Sequence, residues 1–275
     1  MTGGAMFKPY LDRWNLVADG QPITTPAARL VPVLQNGTRA MLKLSSNPDQ
    51  RRGAALMEWW GGDGAARIIA RDETALLIER ATGGRSLGDM ARGGDDARAC
   101  RILCATAARL HRKRPGPIPE LVPLPHWFRD LEPAVAAHGG ILTHSLETAR
   151  MLLADPRDQV VLHGDLHHDN VLDFGPRGWL AIDPHALFGE RGFDFANIFT
   201  NPDLSDPTRP VATLPGHFQQ RLEVVAGAAR MDRRRLLQWI LAWTGLSAAW
   251  FLQDNDPLVR VDLEIASLAA AELVR

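Results

Sequence analysis

The run Val160-Val-Leu-His163-Gly164-Asp165-Leu166-His167-His168-Asp169-Asn170-Val-Leu172 decides how the rest of the chain is read. An apolar segment delivers a polar loop and a second apolar segment leaves it, the pattern of two buried strands joined through a functional turn. Thirteen residues after Asn170 comes Asp183, directly behind the strand-like Trp179-Leu-Ala-Ile182. A hairpin in this region brings three oxygen-bearing side chains, Asp165, Asn170 and Asp183, to neighbouring strand ends. Phosphoryl transfer needs such a set: one carboxylate orients the acceptor hydroxyl and takes its proton, while an Asn and a second Asp hold Mg²⁺ against the phosphates. Hard divalent cations prefer oxygen ligands, which agrees.

Upstream, Arg29 to Gln35 and Thr38 to Leu44 flank Asn36-Gly37, a dipeptide that favours a type I′ hairpin because both positions tolerate positive φ. Lys43 alternates with apolar residues in the second strand. Asn47-Pro48 supplies a cap and first-turn proline for a helix to about Trp60, and Gly61-Gly-Asp-Gly64 stops it as a C-cap and turn. Thr74 to Arg80 is another strand, followed by Ala81-Thr-Gly-Gly-Arg85. Helices are expected from Asp95 to Arg112, from His144 to Leu153 and over about 216–274. Together these features predict an α+β fold of two lobes: a small β-rich N-lobe (1–80) with one helix, a hinge (81–85) and a larger helical C-lobe (86–275). Ligands commonly bind between two such lobes.

The composition narrows the function. The chain has 275 residues, 45% of them hydrophobic and 23% charged, enough for a real core. A net charge of −1 gives no global pull toward nucleic acid or an anionic membrane. Residues 101–275 carry 18 basic and 21 acidic side chains, a tilt suited to a cationic ligand. Cys100 and Cys104 share a helix face without further zinc ligands and read as core residues. The first ten residues show no signal-peptide core, and Leu236 to Leu252 is broken by Gln238, Thr244, Gly245 and Ser247, so a buried helix is expected. A cytoplasmic protein, monomeric or weakly dimeric, without nucleic-acid or membrane partners, is the expectation. Trp239, Trp243 and Trp250 recur at near-helical spacing and read as core.

His-Gly-Asp-Leu-His-His-Asp-Asn with a following Ile182-Asp-Pro184 resembles the aminoglycoside phosphotransferase branch of the protein-kinase-like fold. Gly178-Trp to Phe199 and Arg234 to Trp250 are similar to its streptomycin 6-kinase and hydroxyurea phosphotransferase family. The likeness spans about residues 24–270. Asp173-Phe174-Gly175 spells the protein-kinase metal tripeptide but falls three residues after Asn170, beside a Gly175-Pro-Arg-Gly178 turn, and reads as a hairpin end. The resemblance implies ATP and Mg²⁺, with Asp165 as catalytic base and Asn170 and Asp183 as metal ligands. His163 becomes a structural member of the loop, and Lys43 the lysine on the α- and β-phosphates. It also implies adenine contacts from the Glu79 carbonyl and the Ala81 N–H, and phosphate contacts from backbone N–H groups in Thr24 to Ala28, Thr25 and Ala27 among them.

Two departures stand out. No glycine-rich motif precedes Lys43, and the helix position expected to hold its acidic partner is Arg52, with Asp49 and Glu58 nearby. The implied acceptor is an aminoglycoside-like small molecule, first the 6-hydroxyl of streptomycin, with hydroxyurea as the alternative. Guanidinium groups call for carboxylates; Glu190, Asp194, Asp203, Asp254 and Asp256 are the candidates, Asp194 having a second reading as a brace of the catalytic loop. A metal-dependent hydrolase using His163, Asp165, His167, His168 and Asp169 and a catalytically dead nucleotide-binding module are the competing readings.

Overall fold

The computed structural model describes residues 5–25 and 27–275. The chain opens with helix α1 (Lys8–Arg13) and the short strands β1 (Leu16–Ala18) and β2 (Ile23–Thr24). The sequence reading has only one helix in the first 80 residues; α1 is six residues long with no buried side chain, too short for a hydrophobic period to show. Asn36 and Gly37 adopt φ of 49° and 79°, the double positive φ of a type I′ turn. They join β3 (Arg29–Gln35) to β4 (Thr38–Leu44) in an antiparallel pair running from Arg29–Leu44 to Gln35–Thr38. The Asn47 side chain accepts the Asp49 N–H to open α2 (Pro48–Trp60), and Gly61, at φ 59°, ends it. With β5 (Ile68–Arg71) and β6 (Ala75–Glu79) the strands form an antiparallel sheet ordered β1-β3-β4-β6-β5, β2 pairing on β3.

The remainder is mainly helical. In chain order it holds α3 (Leu87–Met90), α4 (Asp96–Leu110), β7 (Val122–Pro123), α5 (Leu124–Trp127), α6 (Leu131–His138) and α7 (Ile141–Ala154). Then come β8 (Gln159–Leu162), β9 (Val171–Asp173), β10 (Trp179–Ala181), β11 (Leu187–Glu190), α8 (Gly192–Ala196), α9 (His217–Ala229), α10 (Arg233–Gln253) and α11 (Val259–Leu273). β9 and β10 form the expected hairpin. β11, unanticipated in a short segment interrupted by Gly189, pairs antiparallel with β8 and parallel with β7.

One apolar cluster lies against the sheet, with Phe7, Val31, Val33, Ala40, Leu42 and Leu77. A larger one runs from Leu56, Met57 and Trp60 of α2 through Leu103 and Cys104 of α4 to Trp239, Ile240 and Leu246 of α10. The inner face of α2 thus belongs to the core of the helical part, which fixes the position of that helix relative to the strands that follow. Cys100, Cys104, Trp239 and Trp243 are buried as read, whereas Trp250 is only partly so. Among the described residues no helix is long and apolar enough to cross a membrane.

Candidate active site

The loop between β8 and β9 is pinned from behind by a buried carboxylate. Asp194, at the start of α8 and fully buried, accepts the His163 N–H at 2.9 Å, the Gly164 N–H at 2.8 Å and His111 Nε2 at 2.8 Å. Burial alone would raise its pKa, but the His111 contact and these donors hold the carboxyl below its ordinary range. Gly164 sits at φ +87°, and a Cβ there would meet the Leu187 side chain at 2.8 Å, so the backbone conformation and the packing both require glycine. His163 Nδ1 accepts the Asp165 N–H at 3.2 Å, which leaves Nε2–H to donate to the Ile182 carbonyl at 2.8 Å. Its ring stacks against Trp60 with centroids 6.2 Å apart. Burial lowers its pKa, so it stays neutral and structural.

The front of the loop carries the chemistry-bearing oxygens. Asp165 is partly exposed; one carboxylate oxygen accepts Asn170 Nδ2 at 2.8 Å and lies 3.5 Å from His167 Nε2. Desolvation pushes the carboxyl up, but His167, His185 and His163 outweigh it and hold Asp165 well below the usual carboxylate range. Asn170 spends its amide N–H on Asp165, and its backbone carbonyl accepts the Ile182 N–H at 2.9 Å, which sets Asp183 alongside. Asp183 has φ 56°, uncommon outside glycine. One of its oxygens takes Lys43 Nζ at 2.6 Å. Asn170 Oδ1 and the second Asp183 oxygen hold no hydrogen bond among the described residues. Two adjacent hard oxygen donors of this kind fit a Mg²⁺ ion shared with phosphate oxygens.

Lys43 is buried, its side chain 4% exposed, and its partner is an acid 140 positions downstream rather than one on α2. The reason lies in how α2 packs. A Cβ on Gly53 would fall 2.4 Å from the Pro184 carbonyl, so the helix runs directly against the turn that follows Asp183. Arg52 pairs with Asp49, and Glu58 with Arg71 at 2.9 Å. Neither nearby acid reaches Lys43.

The expected nucleotide contacts are mixed. Glu79 ends β6, its carboxylate taking the Arg67 N–H and pairing with Arg177, and Ala81 follows with no hydrogen bond of its N–H among the described residues. Asp173, the hairpin-end residue, ties down the segment after Ala81: its carbonyl accepts the Gly83 N–H at 2.9 Å, and its carboxylate takes Arg85 Nε at 2.7 Å. The Thr24–Ala28 connection between β2 and β3 contains Pro26, which lies outside the described residues. Thr25 corrects an expectation: its N–H and hydroxyl close the turn onto Ala28, at 3.0 Å and 3.2 Å, so that N–H is already engaged. Ala27 accepts the Ser45 hydroxyl at its carbonyl.

Most of the expected acceptor-binding acids are corrected by burial. Glu190 receives Arg235 at 2.6 and 2.9 Å, Trp239 Nε1 at 2.7 Å and the Arg157 N–H at 2.9 Å. Asp203 caps the N–H groups of Val211, Ala212 and Thr213. Like Asp194 they are buried, and their oxygens are taken up by donors of the protein itself. Asp254 and Asp256 lie just past α10, Asp256 capping the Leu258 N–H. His111 carries no local signal in the sequence, because its role depends on a contact 83 residues away. The transition-metal alternative finds no support: among the described residues no three His, Cys, Asp or Glu side chains are grouped to hold an ion.

The profile of the family described as aminoglycoside/hydroxyurea antibiotic resistance kinase matches residues 13–255. A streptomycin 3″-kinase of Klebsiella pneumoniae is 55% identical over 94% of this chain and 98% of its own length. A streptomycin 6-kinase of Streptomyces griseus is 31% identical over 91% of this chain and 83% of its own. Among solved structures, aminoglycoside phosphotransferase APH(3″)-Id from Streptomyces rimosus, in complex with ADP and streptomycin, superposes with a TM-score of 0.61 at 17% identity, covering 90% of this chain and 99% of that one.

Proposed function

The chain belongs to the aminoglycoside/hydroxyurea antibiotic resistance kinase family, and on that premise we propose that it transfers the γ-phosphoryl group of ATP to a hydroxyl of streptomycin and so inactivates the antibiotic. The observation that carries the reading is the single cluster formed by Asp165, Asn170, Asp183 and Lys43, drawn from strand ends far apart in sequence. In it Asp165, ionised and held by Asn170, orients the acceptor hydroxyl and receives its proton as the oxygen attacks the γ-phosphorus. Lys43, buried beside Asp183, places a fixed positive charge where the α- and β-phosphates lie. Asn170 and Asp183 hold Mg²⁺, which when bound neutralises charge on the phosphate oxygens. The end of β6 and Ala81 receive the adenine, and the Ala27 side of the β2–β3 turn covers the phosphates.

The 55% identity to a streptomycin 3″-kinase supports the 3″-hydroxyl over the 6-hydroxyl expected from the motif resemblance. Nuclear magnetic resonance of the isolated product tests this, with hydroxyurea as a second acceptor in a parallel reaction. Phosphorus coupling at the 3″ position is expected. Coupling at position 6 moves the site of transfer, and a product from hydroxyurea alone replaces the acceptor.

A further inference from the structure

Beside the catalytic loop lies a cavity of about 350 Å³ that none of the residues discussed so far explains. Its walls include Trp127 at the end of α5, Trp250 in the last turn of α10 and His185, with Asp130 and Asp49 also lining it. The Trp127 ring stands 5.1 Å from the His185 ring and 5.8 Å, edge to face, from the Trp250 ring. His185 joins this cavity to the chemistry. Its N–H donates to the His163 carbonyl at 2.7 Å, its side chain packs over Gly164, where a Cβ would approach within 3.0 Å, and it lies two residues beyond Asp183. Asp49 reaches the cavity because Gly53, one turn later on α2, presses that helix onto Pro184.

Three of the acids expected to receive a guanidinium group are enclosed, so the cationic end of the acceptor needs another receiver. This cavity has the required chemistry. Indole faces stack on planar guanidinium groups and attract their charge. Asp130 takes Trp250 Nε1 at 3.1 Å on one oxygen and Arg129 at 3.4 Å on the other, and Asp49 is engaged by Arg52 on one oxygen only. A carboxylate accepts about four hydrogen bonds, so both keep capacity for a bidentate partner. Both are also partly open, their side chains 36% and 38% exposed. Arg129 lines the cavity too, its charge turned toward His126 and Asp130.

We propose that the cavity between Trp127, Trp250 and His185 is the subsite for the guanidinium-bearing part of the acceptor, with Asp130 and Asp49 as its counter-charges. The proposal rests on the streptomycin reading above and adds where specificity resides: Trp127 and Trp250 grip the cation while His185 separates it from the reacting hydroxyl at Asp165.

The test is steady-state kinetics of the full chain with streptomycin and ATP, comparing wild type with Trp250→Leu, Trp250→Phe and Asp130→Asn. Trp250→Leu and Asp130→Asn are expected to raise the KM for streptomycin by about tenfold, the scale of a stacked or charge-paired contact. The KM for ATP should stay within about twofold in both, which also reports that each variant is folded. Trp250→Phe, which keeps an aromatic face, should recover most of the loss. Wild-type turnover of streptomycin with an unchanged streptomycin KM in both variants would overturn the subsite alone. Absence of turnover by wild type would overturn the streptomycin reading, and the subsite with it.

Discussion

The catalytic loop has two sides, and both are built from carboxylates. On the cleft side Asp165 and Asp183 are partly exposed, each with fewer protein donors than oxygens can accept. On the far side Asp194 is buried behind the loop, with Glu190 and Asp203 buried elsewhere in the helical part, and each takes three or more donors. The same functional group therefore does opposite jobs. Where donors saturate it, the carboxylate locks backbone in place; where an oxygen is left over, it can meet a metal, a hydroxyl or a cation. Residue type alone does not separate the two, but the count of partners does.

The buried acids should yield the largest effect. Glu190→Ala leaves Arg235 buried without its counter-charge, and loss of one partner of a buried pair costs about 3–5 kcal/mol. Urea unfolding should show this, while any enzyme that remains folded keeps its streptomycin KM; a raised KM at full stability would return Glu190 to the acceptor site. On the cleft side, Asp165→Asn should leave the fold and nucleotide binding intact and lower turnover by about 10³-fold, the range of a lost general base. Calorimetric nucleotide titration beside the rate assay separates the two effects, and turnover near wild type would deny Asp165 its role. Lys43→Ala should reduce kcat/KM for ATP by about 10²-fold through lost phosphate positioning. Wild-type kinetics there would mean that the buried pair with Asp183 is structural.

The smallest effect concerns pH. Burial lowers the pKa of both His163 and His168, so the fold keeps them neutral while the unfolded chain protonates them below its ordinary value near 6.5. The unfolded state then binds more protons, and stability falls as pH drops from 7 toward 5. His167, raised by its contact with Asp165, works in the other direction, and Asp194, held low, adds a loss only below about pH 4. Melting temperatures at pH 7.5 and 5.5 should therefore differ, with a smaller difference in His168→Gln. An equal slope in that variant would remove His168 from the account.

Legibility in the sequence divides along the same line. The Asn36-Gly37 turn, the Asn47 cap and the Gly61 stop depend on neighbours within a few residues, and each forms where its local chemistry predicts. Asp165, Asn170 and Asp183 could be grouped because a hairpin of about a dozen residues joins them. Partners at long range were out of reach: Lys43 with Asp183, Glu190 with Arg235 and His111 with Asp194 depend on how helices dock. Trp250 shows the limit best. Its helical spacing to Trp239 and Trp243 reads as core, and only the end of α10, projecting toward Trp127, sets it apart.

Phosphorylation of streptomycin by this cluster can be read from a mass spectrum of streptomycin incubated with the purified chain, ATP and Mg²⁺. A gain of one phosphoryl group, lost when Asp165→Asn replaces the wild type, is the predicted result. Unmodified streptomycin in the presence of wild-type protein that binds ATP would contradict it.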